Sequence, residues 1–255
     1  MNVRFSINNL TYSADLSKGV DISIPLVAGE GRLAAWYVPP ISISPVRAEG
    51  FVGSVAEGGS VNFRNITFNP HGHGTHTECV GHITREVFSV NHVFDRFHFA
   101  AALHTVKPLE ATTAGDHHHV GDFIITPNMI PDGTLPDAFI LRTSPNEADK
   151  TTRVYNDTNP PFLLPETALK LVRAGVKHLL LDLPSVDRES DGGVLASHHV
   201  FFGVPDQVRH EASITELIYV DSRHPDGLYL LEMQTAPFEN DATPSRPVIY
   251  PAERV

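Results

Sequence analysis

The segment His71-Gly-His-Gly-Thr-His76-Thr-Glu78-Cys-Val-Gly-His82 constrains the fold more than any other part of the chain. It packs four imidazoles and one carboxylate into a short stretch, which neither ordinary core packing nor a solvated surface requires. The segment reads as a metal site. If the chain is extended from Thr75 onward, side chains alternate with period two, and His76, Glu78 and His82 share one face. The fold must therefore offer a strand here. His71 and His73 would point the other way unless Gly72 or Gly74 turns the chain through a bulge or a left-handed conformation.

At 255 residues and 41% apolar content, the chain is long enough for a single domain, 1–255, with a sizeable buried core. Its formal charge of −11 leaves no basic stripe, which argues against nucleic acid or an anionic membrane surface as partner. A small molecule is the expected partner. Cys79 is the lone cysteine, and the N-terminus has no apolar run of signal or membrane-spanning length, so a cytoplasmic location is expected.

Short apolar runs between turn residues predict strands at Asp21–Leu26, Arg32–Val38, Gly50–Val55 and Val61–Phe68, the last delivering the chain into the histidine-rich segment as a strand. Phe97–Val106 and Ala138–Thr143 are further strand candidates. The clearest helix begins near Pro165, with Glu166 suited to its N-terminal dipole, an apolar stripe of Ala168, Leu171 and Val172, and Gly175 as the stop. A buried strand follows over Val176–Leu183. Strand, helix and strand in this order suggest a crossover linking Phe139–Leu141 to Leu179–Leu181. Ile214–Val220 and Gly227–Met233 read as two strands of a hairpin. His117-His118-His119 reads as an exposed loop.

Together the histidine-rich segment and several later ones resemble the cyclase family of metal-dependent hydrolases, which includes bacterial arylformamidases (kynurenine formamidases) and isatin hydrolases. The family signature is His-x-Gly-Thr-His-x-Asp-x-Pro-x-His. Here Gly74-Thr75-His76, Glu78 and His82 keep its spacing, and Asp182-Leu-Pro-Ser-Val-Asp187 resembles a later family segment. Three departures stand out: Gly72 falls where the first histidine belongs, Glu78 replaces aspartate, and Val80 replaces proline.

Carried over by position, the resemblance implies an α/β fold with a β-rich mixed core and few helices, in a swivelling β/β/α architecture. It implies metal ligation by His76 and Glu78, with His71 or His73 as the first histidine and His71 favoured. His82 takes the place of the general acid/base. His198, rather than its neighbour His199, and Glu216, rather than Glu211, fit the distant histidine and glutamate positions. Trp36 resembles an aromatic residue lining the substrate pocket. Asp182 and Asp187 are expected to be turn or capping residues. The family commonly forms homodimers or homotetramers.

Imidazole and carboxylate suit one or two divalent ions, Zn²⁺ or Mn²⁺, with an open position for water. Metal lowers the pKa of water from about 15.7 to about 7 and so supplies hydroxide at neutral pH. The expected reaction is hydrolysis of a carbon–nitrogen bond in an amide, formamide or cyclic amide, with His82 moving the proton. The alternatives are a non-catalytic or regulatory homologue that keeps a structural metal, and a small-molecule binding protein using the same pocket.

Overall fold

Alternate residues of the segments Ala138–Thr143 and His178–Leu181 go to opposite sides of a sheet, and this alternation sets where the core lies. Phe139, Leu141, Leu179 and Leu181 join one apolar cluster with Leu171 and Phe201, while Ala138, Ile140 and Leu180 join another with Phe99, Leu231 and Ile249. Both segments are buried on both faces, as central strands covered from two sides must be.

The computed structural model describes residues 1–7 and 10–255. Among these, eleven strands form one mixed sheet. In chain order its main strands are β1 (Asn2–Ile7), β2 (Leu10–Asp15), β3 (His76–Glu78), β4 (His98–Val106), β5 (Ala138–Thr143), β6 (His178–Leu181), β7 (Ser213–Glu216), β8 (Gly227–Glu232), β9 (Ala242–Pro244) and β10 (Val248–Arg254). Across the sheet the order is β1-β2-β10-β8-β4-β5-β6-β7-β3-β9, and the short strand Val20–Asp21 also pairs with β10. The described residues form three α-helices: α1 (Pro70–His73), α2 (Pro165–Arg173) and α3 (Ala196–Phe202). The architecture is thus the β-rich mixed α/β one expected.

The predicted crossover is present. β5 and β6 run parallel with Phe139 opposite Leu179 and Leu141 opposite Leu181, and α2 lies between them in sequence. Pro165 occupies the first turn of α2, Ala168 and Leu171 are buried, and Gly175 with φ +97° follows the last turn. There the Gly175 and Val176 amides donate to Val172 and Leu171 carbonyls, closing the helix as a left-handed glycine allows.

Three expectations give way to tertiary contacts. β7 and β8 do not form a hairpin: β7 lies between β6 and β3, and β8 lies between β4 and β10. The strand β7 also ends at Glu216, before Leu217 with φ +56°. Arg32–Val38 is not a strand but an isolated bridge at Ala34 followed by a turn at Trp36 and Tyr37, with φ of 61° and 55°. Gly50–Val55 shrinks to a two-residue strand, Phe51–Val52. Among the described residues, no helix is long and apolar enough to cross a membrane.

Candidate metal centre

The chain enters the histidine-rich segment through a helical turn, not a strand. Asn69 caps α1 by accepting from the His71 amide at 2.9 Å, and Pro70 starts the turn, where a missing N–H costs nothing. The turn separates the first two histidines. His73 Nδ1 accepts from the Asn69 amide at 2.8 Å, so Nε2 carries the proton and donates to the Pro39 carbonyl at 2.8 Å. Both nitrogens of His73 are thereby engaged with backbone, and His71 alone faces the cluster. Gly72 is needed for close approach rather than for a bulge. A Cβ there would lie 2.7 Å from Val38 Cγ2 and 2.9 Å from the Ala35 carbonyl oxygen, on the segment that carries Trp36.

From His76 the chain is extended. β3 lies antiparallel between β7 and β9, with His76 opposite Glu216 and Glu78 opposite both Ile214 and Ala242. His76 and Glu78 are fully buried on one face. The alternation stops there, because Val80–Ile83 forms a 3-10 turn, and that turn brings His82 back over the cluster. His82 Nε2 lies 3.8 Å from Glu78 Oε2.

The distant residues arrive from two other elements. His198, in the first turn of α3, places Nε2 2.9 Å from Glu78 Oε1; His199, one residue on, joins none of these contacts. Asp187 is more than a turn residue: it accepts from the Ser197 and His198 amides at 2.7 and 3.1 Å and from His198 Nδ1 at 2.6 Å. It caps α3 and orients the ring at once. Asp182 instead serves structure, accepting from the Thr143 amide and from Lys150 Nζ at 2.7 Å. Glu216 is the last residue of β7. Its Oε2 lies 3.4 Å from His76 Nε2, and its Oε1 accepts from the Val186 amide. Asp241, just before β9, completes the group: Oδ2 lies 3.0 Å from His71 Nε2 and 3.4 Å from His82 Nδ1. Nothing in the sequence around Asp241 marks it.

Three sets of potential ligand atoms lie within 4.8 Å of one another: His71, His76 and Glu78; Glu78, His82 and His198; and His71, His82 and Asp241. The residues fit a cation. His76 Nε2 and Glu78 Oε2 are buried without a hydrogen-bond partner, a condition that costs about 1–3 kcal/mol per group and that a divalent ion would relieve.

The charges alternate in sign. Burial disfavours the imidazolium of His71, yet Asp241 and Glu78 outweigh it and hold its pKa up at about 10. Burial likewise opposes charge on His198, but Glu78 and Asp187 keep it well above its ordinary value. Glu78 is held well below the usual carboxylate range, its burial overcome by His82, His198 and His71. Burial pushes the Cys79 thiol up to about 11, so it supplies no thiolate.

A cavity of about 340 Å³ opens over the cluster, lined by Trp36, His71, His82, Arg188, His198 and Glu216. The left-handed turn at Trp36 and Tyr37 sets the indole in its wall. His117–His119 line a neighbouring hollow instead.

A mixed sheet that gathers imidazoles and carboxylates from strand, turn and helix around one buried point defines a class of α/β proteins with a histidine–carboxylate centre. Within it, residues 16–188 match the family described as "Putative cyclase", and the chain belongs to that family. No curated protein matches it. Similar solved structures include a "potential metal-dependent hydrolase with cyclase activity", with TM-score 0.64 and 16% identity over 91% of this chain and 97% of that one. Another is a "predicted metal-dependent hydrolase" from Bacillus stearothermophilus, with TM-score 0.60 and 16% identity over 91% and 98%. A third is isatin hydrolase A from Labrenzia aggregata bound to benzyl benzoate, with TM-score 0.62 and 14% identity over 92% and 94%. At these identities the likeness is one of fold.

Proposed function

We propose that this protein is a metal-dependent hydrolase that cleaves the carbon–nitrogen bond of an amide, formamide or cyclic amide. The observation that carries this reading is the pair of buried atoms without a hydrogen-bond partner, His76 Nε2 and Glu78 Oε2, packed against His71, His82, His198 and Glu216, which line a cavity. The names of the similar structures support it, since they are metal-dependent or isatin hydrolases and isatin is a cyclic amide.

His71, His76 and Glu78 would hold one Zn²⁺ or Mn²⁺, and Glu78, His198 and Glu216 border a second position. A divalent ion bound there polarises a carbonyl and lowers the pKa of water from about 15.7 to about 7. The remaining work falls to the protein. Asp187 holds His198 in one tautomer through Nδ1 and leaves Nε2 facing Glu78. His82, half-buried and open to the cavity, takes a proton from attacking water and returns it to the leaving nitrogen, help of about 10²–10⁴ in rate. Trp36 supplies an apolar wall for the substrate.

The test is metal analysis of the purified protein, coupled to hydrolysis assays on aryl formamides and cyclic amides with and without chelator. Turnover that chelator abolishes and zinc or manganese restores is expected. Absence of bound metal, with no activity on adding either ion, defeats the reading.

A further inference from the structure

We propose that Asp241 is a positioning residue that sets the orientation of His71 and His82 together, so that one carboxylate governs both a metal ligand and the proton carrier; the roles of those two rings rest on the function proposed above. Asp241 lies beyond residue 188, where the family match ends.

The backbone fixes Asp241 first. Ala242 is the register partner of Glu78, and the Asp241 carbonyl accepts from the Cys79 amide at 3.0 Å. On its other side the Asn240 carbonyl accepts from the Val90 amide, while Asn240 Nδ2 donates to the Ala242 carbonyl. The carboxylate therefore starts from a rigid strand end beside Glu78, not from a loose loop.

Two rings then span the same pair of carboxylates. His71 reaches from Asp241 Oδ2 at Nε2 to Glu78 Oε2 at Nδ1, with distances of 3.0 and 3.2 Å. His82 reaches from Asp241 Oδ2 at Nδ1 to Glu78 Oε2 at Nε2, with distances of 3.4 and 3.8 Å. The two rings lie side by side, their centroids 4.3 Å apart and their planes tilted by 30°. In the neutral ring, as a bound cation would make it, an N–H donated to Asp241 leaves the lone pair on the nitrogen that faces Glu78, which is the tautomer required of a ligand or a base.

The other two rings follow the same plan with different anchors. His76 Nδ1 donates to the Gly74 carbonyl at 3.0 Å, and His198 Nδ1 donates to Asp187. Those rings are buried and further held by packing. His71 and His82 have side chains 20% and 29% exposed, so packing restrains them less and their shared anchor matters more.

Asp241→Asn tests the proposal with the shape unchanged, because both rings meet the one oxygen Oδ2 and the amide takes away its charge. Asp241→Ser is the companion variant, and thermal unfolding of the metal-free proteins checks that both fold. Affinity for Zn²⁺ or Mn²⁺ alone is measured by competition with a chelator, and kcat and KM are measured at saturating metal. The expected result is a loss of metal affinity of about 10–100-fold, and a fall in kcat of about tenfold or more with KM within about threefold. Wild-type metal affinity in both variants overturns the hold on His71, and an unchanged kcat overturns the hold on His82. If the wild-type protein hydrolyses no amide, the function proposed above falls by itself, and the affinity comparison still decides whether Asp241 positions His71.

Discussion

His198 Nε2 lies 2.9 Å from Glu78 Oε1, joining residues 120 positions apart in the chain. Glu78 sits in a strand with neighbours on both sides, and His198 sits in the first turn of α3, where Asp187 holds both the helix end and the ring. The contact exists only once sheet and helix have packed. The centre therefore depends on the packed fold.

Glu78 is the carboxylate common to two of the three ligand sets. Glu78→Gln keeps the shape and removes the charge. Metal bound to the folded state stabilises by RT ln(1 + [L]/Kd), about 4 kcal/mol at a thousandfold excess over Kd. Wild-type protein should therefore melt at higher temperature with zinc than with chelator, and the variant should lose most of that difference. An undiminished zinc-dependent shift in the variant would remove Glu78 from the ligand set.

His82 is expected to move protons rather than to hold the ion. His82→Ala should retain stoichiometric metal and lose about 10²–10⁴ in kcat. Parallel metal analysis and steady-state kinetics distinguish the cases: loss of metal makes His82 a ligand, and retained turnover removes it as acid/base.

Lys150 and Asp182 form a buried ion pair at 2.7 Å, with side chains 5% and 0% exposed. Taking away one partner strands the other charge, at a typical cost of about 3–5 kcal/mol. Lys150→Met should lower stability by about that amount in urea unfolding, whereas Lys150→Met combined with Asp182→Asn should recover a substantial part. Additive losses in the double variant would mean that the two groups act independently.

His178 is buried against Phe94 and Phe99. Burial, reinforced by Lys177, Arg96 and Arg209, lowers its pKa from 6.5 to about 3. Below pH 6.5 the unfolded chain binds a proton that the folded chain refuses, so stability falls as pH drops toward 3, by about 1.4 kcal/mol per unit. His178→Gln preserves an acceptor for Ser213 Oγ, which lies 2.9 Å from His178 Nδ1. Its stability should decline less steeply than that of the wild type between pH 6.5 and 4.5, and parallel curves from urea melts would contradict this.

Much of the fold was legible where local pattern and long-range pairing agree. Proline, apolar stripe and glycine define α2, and two apolar runs around it define parallel β5 and β6. Patterns failed where the partner strand lies far away in sequence. Ile214 onward and Gly227 onward look like a hairpin, but β7 pairs in parallel with β6 and antiparallel with β3, and no two-residue turn holds it to β8. Arg32–Val38 has strand composition, yet its contacts with α1 and with residues 153–156 bend it at Trp36 into the cavity wall.

The residues of the candidate site divide in the same way. Amino-acid types and spacing by themselves singled out the segment from His71 to His82 as a candidate metal site, and the family resemblance pointed to His198 and Glu216 as its distant partners, because ligand chemistry is a property of side chains. Tertiary structure alone decided that a helical turn separates His71 from His73, that a 3-10 turn folds His82 back, and that Asp187 and Asp241 hold the rings. Those choices depend on which backbone groups and carboxylates meet across the sheet. Register and packing set such meetings, and neither is written in any local stretch of the chain.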